Sequence, residues 1–388
     1  METGVTLAAL ITSYFIIFTT TVVLAPRSAT AQRLVVAAAM IGLNYLFCQT
    51  LDTVVLLPSP RVNVVTLSWI ACASGTEAVF VSRIDASQLI LDGKGGGTGR
   101  GVGGWTLAWR ALCVFFNLRR VGTRWEPANV RPPPGSARLR GRLRFVMAMT
   151  ARCVACYLLV DLMSLLPRPE ERLFTREKQT LWRLWDLSTE DVVFRLSACC
   201  GLWITSYLFQ MFNVSLAGLL AVVAGLSRPE LWPPVFGPLW TMYSIRDFWG
   251  TFWHQSLRKA ITGWADYISD DVMRLTRGTL VSRYTRLLLA FFISGTLHLG
   301  QDRIYVTPGE RYSSPTFFCV QALAIMVEDG LRALTAPLPI PQPVRRVVGY
   351  AWTVAWLWWI TPIWMYPILR KGDVGSNVPF SLVHWALD

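Results

Sequence analysis

The chain has 388 residues, of which 53% are hydrophobic and only 16% charged, with a formal net charge of +13 and a mean hydropathy of +0.40. Soluble domains carry roughly a quarter charged residues, so a string of soluble domains is excluded. A disordered chain is excluded too, because so much apolar surface would not stay in water. Eight cysteines are too sparse for a disulfide-stapled scaffold, while 18 Trp and 19 Phe suit membrane interfaces.

Apolar runs of about 20 residues are long enough to span a bilayer. The first covers 5–25 and is closed by Pro26. It lacks a basic leader and is read as a retained helix, not a signal peptide. The second run covers 34–57, and the third covers 62–82 and carries Glu77. The loop that follows, 83–144, holds twelve Lys/Arg against three acids. The positive-inside rule therefore predicts that it is cytosolic. The excess positive charge is assigned to such loops and to anionic lipid, not to nucleic acid. Gly99, Gly101 and Gly104 fit G-x-G-x-x-G in this loop. No strand precedes them, so a flexible linker is the reading. Residues 105–118 form a short apolar stretch suited to the interface plane, and Arg131 to Gly135 read as a turn or spacer.

A fourth run covers 145–166, with Arg152 and Asp161 inside it. Its Cys153 and Cys156 have no second pair and are read as packed thiols. The loop 167–191 holds five Lys/Arg against six acids and is assigned to the lumen. The run 192–226 has 35 residues, more than one straight crossing needs. It is either one crossing with a horizontal extension or two short helices. Further runs cover 285–299, 315–331 and 347–369, the last with five Trp between Trp352 and Trp364.

Three histidines are present. His384 lies outside any run and is read as a tail residue. His298 ends the run that begins at Leu287. An ionisable group at membrane depth is costly and marks function, although a helix end reaching the headgroups is an equal reading. Asp302, one helical turn on, either orients the imidazole or is an ordinary loop acid. His254 follows Ser244-Ile245-Arg246-Asp247-Phe248-Trp249-Gly250. That stretch is too polar for a continuous membrane helix, so it is predicted to be an interfacial or re-entrant element facing protein or a cavity. No G-x-S-x-G elbow makes Ser294 a nucleophile. The histidines are too widely spaced for a metal site, and none is expected. Glu328-Asp329, within the seventh run, either line a polar cavity or mark a cytosolic end.

Two motifs carry a resemblance. Ser244 to Gly250 followed by Trp253-His254-Gln255 is similar to the S-L-R-D-F-W-G…W-H-Q signature of the wax-synthase-like branch of the membrane-bound O-acyltransferase family. Ser294-Gly295-x-x-His298 resembles its S-G-x-x-H motif, and Pro233 to Gly237 match a proline-aromatic-glycine lead-in. Ile245 replaces the usual Leu, and Thr296-Leu297 replace a Leu-Trp-like pair. The N-terminal third matches only in hydropathy.

The resemblance implies acyl transfer from acyl-CoA to a hydroxyl. His298 would take the hydroxyl proton, and His254 would polarise the thioester carbonyl or position CoA. Arg246, Arg258 and Lys259 are candidates for the CoA phosphates, an assignment weighed evenly against plain positive-inside charge. Asp247, Trp249 and Asp302 are supporting candidates. The branch includes plant wax synthases and fungal enzymes that acetylate terpenoid or meroterpenoid hydroxyls. The first expectation is acetyl transfer to such an alcohol in secondary metabolism, and the second is wax-ester synthesis. A transporter is the rival of another class, but no inverted repeat is evident.

The expected fold is thus an all-α polytopic membrane helix bundle of about eight transmembrane helices, with a re-entrant or interfacial element. A single membrane-embedded domain is expected over 1–388, with a basic cytosolic loop at 83–144 and the motif-bearing region at 230–300. The protein is expected to be multi-pass in the endoplasmic reticulum. Its expected partners are membrane lipid, a lipophilic alcohol acceptor and acyl-CoA. Acetyl-CoA is a co-substrate, with no bound cofactor.

Overall fold

The computed structural model describes residues 2–55, 58–92, 102–128, 130, 141–306, 309–310, 314–372, 378 and 380–387. Among these residues the fold is all-helical, without strands. Gly99 and Gly101 of the glycine motif and the spacer from Arg131 to Gly135 lie outside the described residues. Among the described residues, five helices are long and apolar enough to cross a membrane. The chain divides into two compact units, one of 1–127 and 256–301, the other of 128–255 and 302–388.

In the first unit, α1 (Glu2–Leu24) and α2 (Thr30–Val54) form a hairpin, and α3 (Pro58–Thr76) packs beside α2. The turn between α1 and α2 contains Pro26, which lacks the N–H that a continuing helix would need. Their core holds Phe18, Met40, Cys72 and Phe115. Phe115 belongs to α5 (Gly104–Phe116), which follows the short α4 (Ala86–Asp92). Its ring meets Tyr14, Phe15 and Phe18 edge to face at 5.9, 5.2 and 4.9 Å. The apolar stretch after the glycine-rich loop is thus a helix. It buries Leu107, Ala111 and Phe115 and leaves Trp105 and Trp109 exposed.

Two buried arginines tie this unit together. Arg33 on α2 is fully buried, and its guanidinium donates to the carbonyls of Ala25 (2.6 Å), Pro26 (3.2 Å), Val79 (2.8 Å) and Ile84 (3.0 Å). It satisfies helix-end carbonyls that a bilayer interior would leave unpaired. Arg120 is also fully buried and donates to Ser74 O at 3.0 Å and to Ser74 Oγ at 3.2 Å. Its own backbone is left-handed, with φ of 53°.

Where the sequence places Glu77 inside a span, α3 widens into a π-helical turn, Glu77–Val81. Such turns cluster at functional sites and let one residue bulge from the regular ladder. Glu77 is fully buried. Its carboxylate lies 3.6 Å from the Arg120 guanidinium and 3.1 Å from Lys259 Nζ, and it accepts from Ser82 Oγ. Lys259 belongs to α9 (Arg258–Tyr267), which follows the one-turn helix α8 (Ile245–Asp247) of the second unit. Gly263 on α9 makes the approach possible, because a Cβ there would sit 2.9 Å from Glu77 Cγ. α10 (Leu280–Tyr305) completes the unit and continues into the second.

In the second unit, α6 (Arg142–Met163) packs along α7 (Thr189–Val223). The run left open in the sequence is one unbroken helix of 35 residues. A single rod of that length, about 52 Å at 1.5 Å per residue, is more than long enough to cross a bilayer, and two short helices are ruled out. A capping box starts it: Ser188 Oγ accepts from Asp191 N–H at 3.2 Å, and the Asp191 carboxylate accepts from Ser188 N–H at 3.0 Å. Such a cap contributes about 0.5–2 kcal/mol. Gly225, at φ of 74°, ends the helix in the left-handed conformation that suits glycine.

α11 (Ser314–Thr335), α12 (Gln342–Ile360), α13 (Pro362–Arg370) and α14 (Leu382–Leu387) complete the unit. The Trp-rich run of 347–369 is two helices rather than one. Pro362 has no N–H to continue the ladder, and Thr361 turns its hydroxyl back to Leu357 O at 2.6 Å. His384 lies on α14, whose Val383 N–H donates to the buried Asp161 of α6 at 3.0 Å.

Candidate active site

The motif-bearing element 244–255 has almost no regular helix to shape it. Ser244 caps α8, accepting from Asp247 N–H at 2.9 Å and donating to Asp247 Oδ2 at 2.6 Å. After three residues the helix widens into a second π-helical turn, Phe248–Phe252, closed by Trp253 N–H to Phe248 O at 2.7 Å. Trp253 is extended, with ψ of 150°, which ends the turn and delivers His254. The imidazole is half-buried, edge-on to Phe236 at 6.1 Å and beside Trp253 at 5.7 Å.

The proline-aromatic-glycine lead-in explains itself at this point. Gly237 N–H donates to Phe252 O at 2.8 Å, and Gln255 N–H donates to Val235 O at 3.3 Å. A Cβ on Gly237 would lie 2.3 Å from Thr251 O, so only glycine lets the two strands of chain touch. Phe236, Phe248, Phe252 and Trp253 pack with Trp203 of α7 into an aromatic core. Trp203 meets Trp253 edge to face at 4.8 Å.

The charges of the element are gripped by α11. Arg246 forms a fork onto Asp329, Nε to Oδ1 at 3.1 Å and Nη2 to Oδ2 at 2.5 Å. The Arg246 backbone N–H donates to Glu328 Oε2 at 3.2 Å. Arg332 lies 3.2 Å from Glu328 Oε1 and 3.8 Å from Asp247 Oδ2. Gln321 is fully buried and accepts from two indoles at once, Trp249 Nε1 at 3.3 Å and Trp356 Nε1 at 2.8 Å. Charge-assisted forks of this kind hold geometry as well as energy.

The S-G-x-x-H histidine belongs to the first unit. His298 is half-buried on α10, with Nδ1 2.7 Å from Ser294 O. A carbonyl only accepts, so Nδ1 carries a proton, and in the neutral ring Nε2 is the nitrogen with the lone pair. The four-residue spacing of the motif thereby acquires a reason, since the carbonyl of residue i lies beneath the side chain of i+4 on a helix. Two residues on, Gly300 lets α10 press onto α3, where a Cβ would lie 2.7 Å from Trp69 Cδ1.

The other expected residues fall in several places. In the first unit Lys259 faces Glu77, and burial pushes the Arg258 guanidinium below its ordinary value. In the second unit Asp302 receives Ser314 N–H and Ser314 Oγ, both at 2.7 Å, and so holds the start of α11. Arg246, Asp247, Trp249 and His254 lie together in the second unit; Arg258, Lys259 and His298 lie in the first. Among the described residues no group of three His, Cys, Asp or Glu has the arrangement to hold a metal ion.

Residues 232–320, which contain both histidine motifs, match the Membrane bound O-acyl transferase family. The chain is 32% identical over 296 residues to the acetyltransferase ataH of Aspergillus terreus, across 72% of this chain and 95% of that relative. It is 34% identical over 292 residues to the acetyltransferase pyr8 of Aspergillus fumigatus, across 70% and 67% of the two chains. The acetyltransferase aurG of Calcarisporium arbuscula is 30% identical over 285 residues, across 71% and 68%. The chain belongs to the membrane-bound O-acyltransferase family. It is an acyltransferase, and the relatives over most of its length are acetyltransferases. No solved structure matches it.

Sequence reasoning had no role for Gln321 and did not pair Glu328-Asp329 with Arg246. The available signal was complementarity. The charged pair Arg246-Asp247 sits in an aromatic element, and Glu328-Asp329 is an acidic pair in an apolar run. Two such pairs in a membrane protein invite each other.

Proposed function

We propose that this acyltransferase moves an acetyl group from acetyl-CoA to a hydroxyl of a lipophilic terpenoid or meroterpenoid in secondary metabolism. The observation that carries the reading is His298, whose Nδ1 bond to Ser294 O fixes the tautomer with a basic Nε2. In this mechanism Nε2 takes the hydroxyl proton as the alcohol oxygen attacks the thioester carbonyl. The carbon–sulfur bond then breaks and the proton passes to the departing CoA thiolate. His254 polarises the carbonyl or positions CoA. Arg258 meets the CoA phosphates, while Lys259 has less capacity for that role with its ammonium 3.1 Å from the buried Glu77 carboxylate. The lowered Arg258 guanidinium supports this, because an arriving anion offsets the desolvation that destabilises the cation. Arg246 has less capacity for that role while Asp329 occupies its fork. Asp247, Trp249 and Asp302 shape the surroundings.

In this reading the whole of 1–388 is one membrane-embedded acyltransferase domain with 230–300 as its catalytic region. α10, α11 and the α12–α13 pair add three crossings to the five apolar helices, and 244–255 is the re-entrant or interfacial element. The protein is multi-pass in the endoplasmic reticulum, with the basic loop 83–144 cytosolic. The excess of nine positive charges in that loop predicts that a tag inserted at Gly97 is accessible from the cytosol in intact microsomes. Protection of the tag in the lumen overturns the orientation.

The test of function is enzyme-containing membranes given labelled acetyl-CoA and extracted host lipids. A labelled ester supports the reading and identifies the acceptor. Esters formed only from long-chain alcohols and fatty acyl-CoA replace it with wax synthesis. Absence of any ester with every donor overturns it.

A further inference from the structure

The element 240–255 is held in place largely by side chains from elsewhere in its own unit. On α12, Gly349 lies so close to Tyr243 that an added Cβ would be 2.2 Å from its carbonyl oxygen, and Tyr350 Oη donates to Trp240 O at 2.8 Å. On α11, Gln321 fixes the Trp249 indole, Glu328 takes the Arg246 backbone N–H, and Asp329 takes its guanidinium. Gln321 and Glu328 are seven residues apart, two turns, and so share one face of α11. The Arg246 side chain is about two-thirds buried and that of Asp329 more so, which shields the fork from the screening that makes surface pairs weak. One residue beyond Asp247, the backbone leaves the α ladder for the π-helical turn Phe248–Phe252, which His254 follows two residues on. The far end of the turn is fixed by the main-chain bonds Gly237–Phe252 and Gln255–Val235, so its remaining freedom lies at the first residues, which α11 grips.

We propose that Asp329 is a positioning residue for acyl transfer, holding Arg246 so that the turn Phe248–Phe252 presents His254 in a single orientation. Asp329 then acts through Arg246, whose guanidinium serves this fork and not a CoA phosphate. The inference rests on the reading of His254 as part of the acyl-transfer site. Geometry errors of about 1 Å in a site cost on the order of 10²-fold in rate, so loosening the grip is felt in turnover before it is felt in binding.

The test uses the full-length enzyme in detergent or nanodiscs with acetyl-CoA and the acceptor alcohol. The variants are Asp329→Asn, Arg246→Asp, the exchanged pair Arg246→Asp with Asp329→Arg, and His254→Ala as reference. Asp329→Asn is expected to lower kcat at least tenfold while KM for acetyl-CoA and the thermal midpoint stay close to wild type. The exchanged pair is expected to regain at least tenfold over Arg246→Asp alone. Amide exchange followed by mass spectrometry is expected to quicken in peptides covering 244–255 of Asp329→Asn, and not in those of α7.

Wild-type kcat in Asp329→Asn, or no recovery in the exchanged pair, overturns the inference. So does a tenfold rise in KM for acetyl-CoA at unchanged kcat in the Arg246 variant, which would return Arg246 to the phosphates. If His254→Ala itself turns over like wild type, the site reading fails. If His254→Ala is crippled while Asp329→Asn is normal, the inference alone fails.

Discussion

Replacing His298 with Ala is expected to cut ester formation at least about 10²-fold, and up to about 10⁴-fold, the range that a positioned general base contributes. That corresponds to about 3–5 kcal/mol of barrier. The structure gives the expectation its physical form. Ser294 O holds Nδ1 at 2.7 Å, so the ring is locked in the tautomer whose Nε2 accepts a proton. The helix does not depend on the side chain, since the backbone ladder of α10 runs on to Tyr305. The Ser294 carbonyl loses a side-chain donor but keeps its place in the ladder, so membrane insertion should survive. The measurement is ester formed per mole of membrane-inserted enzyme, with acetyl-CoA and a terpenoid alcohol. Turnover within threefold of wild type would return His298 to an ordinary helix end.

His254→Ala is the second large effect. Removing a single preorganised donor from an oxyanion-type site costs about 10²- to 10³-fold, and a comparable loss is expected here without loss of protein from the membrane. The half-buried ring lies among Phe236 and Trp253, at the end of a turn that other elements hold. Its removal leaves the Gly237–Phe252 and Gln255–Val235 main-chain bonds intact. Steady-state kinetics separate the two roles proposed for it. A polarising group lowers kcat, whereas a group that only seats CoA raises KM. A variant whose kcat and KM both stay within about threefold of wild type, a barrier change under about 1 kcal/mol, would remove His254 from the site.

The long helices were legible because length and hydropathy suffice for them. α1, α2, α6 and α7 coincide with apolar runs to within a few residues, whereas the cap at Ser188 and the stop at Gly225, though local signals, were not used. The two histidine motifs were legible because their spacing is local as well. The break at Pro362 was hidden inside a Trp-rich run whose hydropathy does not change across it. The π-helical turns at Glu77–Val81 and Phe248–Phe252 were not foreseen. Each depends on a tertiary grip: Arg120, Lys259 and Ser82 on Glu77 in one unit, α11 on Arg246 in the other. Pairings that join residues some 80 positions apart, such as Arg246 with Asp329, leave no periodic trace in a single sequence.

Arg33 bears on how the protein is made. Two of its four carbonyl partners, on Ala25 and Pro26, lie in the turn before it, but the other two belong to Val79 and Ile84 at the far end of the third helix. During synthesis the first two helices emerge before that segment exists. A hairpin released sideways into lipid at that moment would carry a guanidinium with half its partners missing, in a medium that supplies none. The hairpin alone therefore leaves this guanidinium two carbonyl partners short, and its packing is complete only once residues 79 and 84 have joined it. Arg33 thus makes the stability of the first two helices conditional on the third, so a substitution such as Arg33→Leu is felt by all three at once.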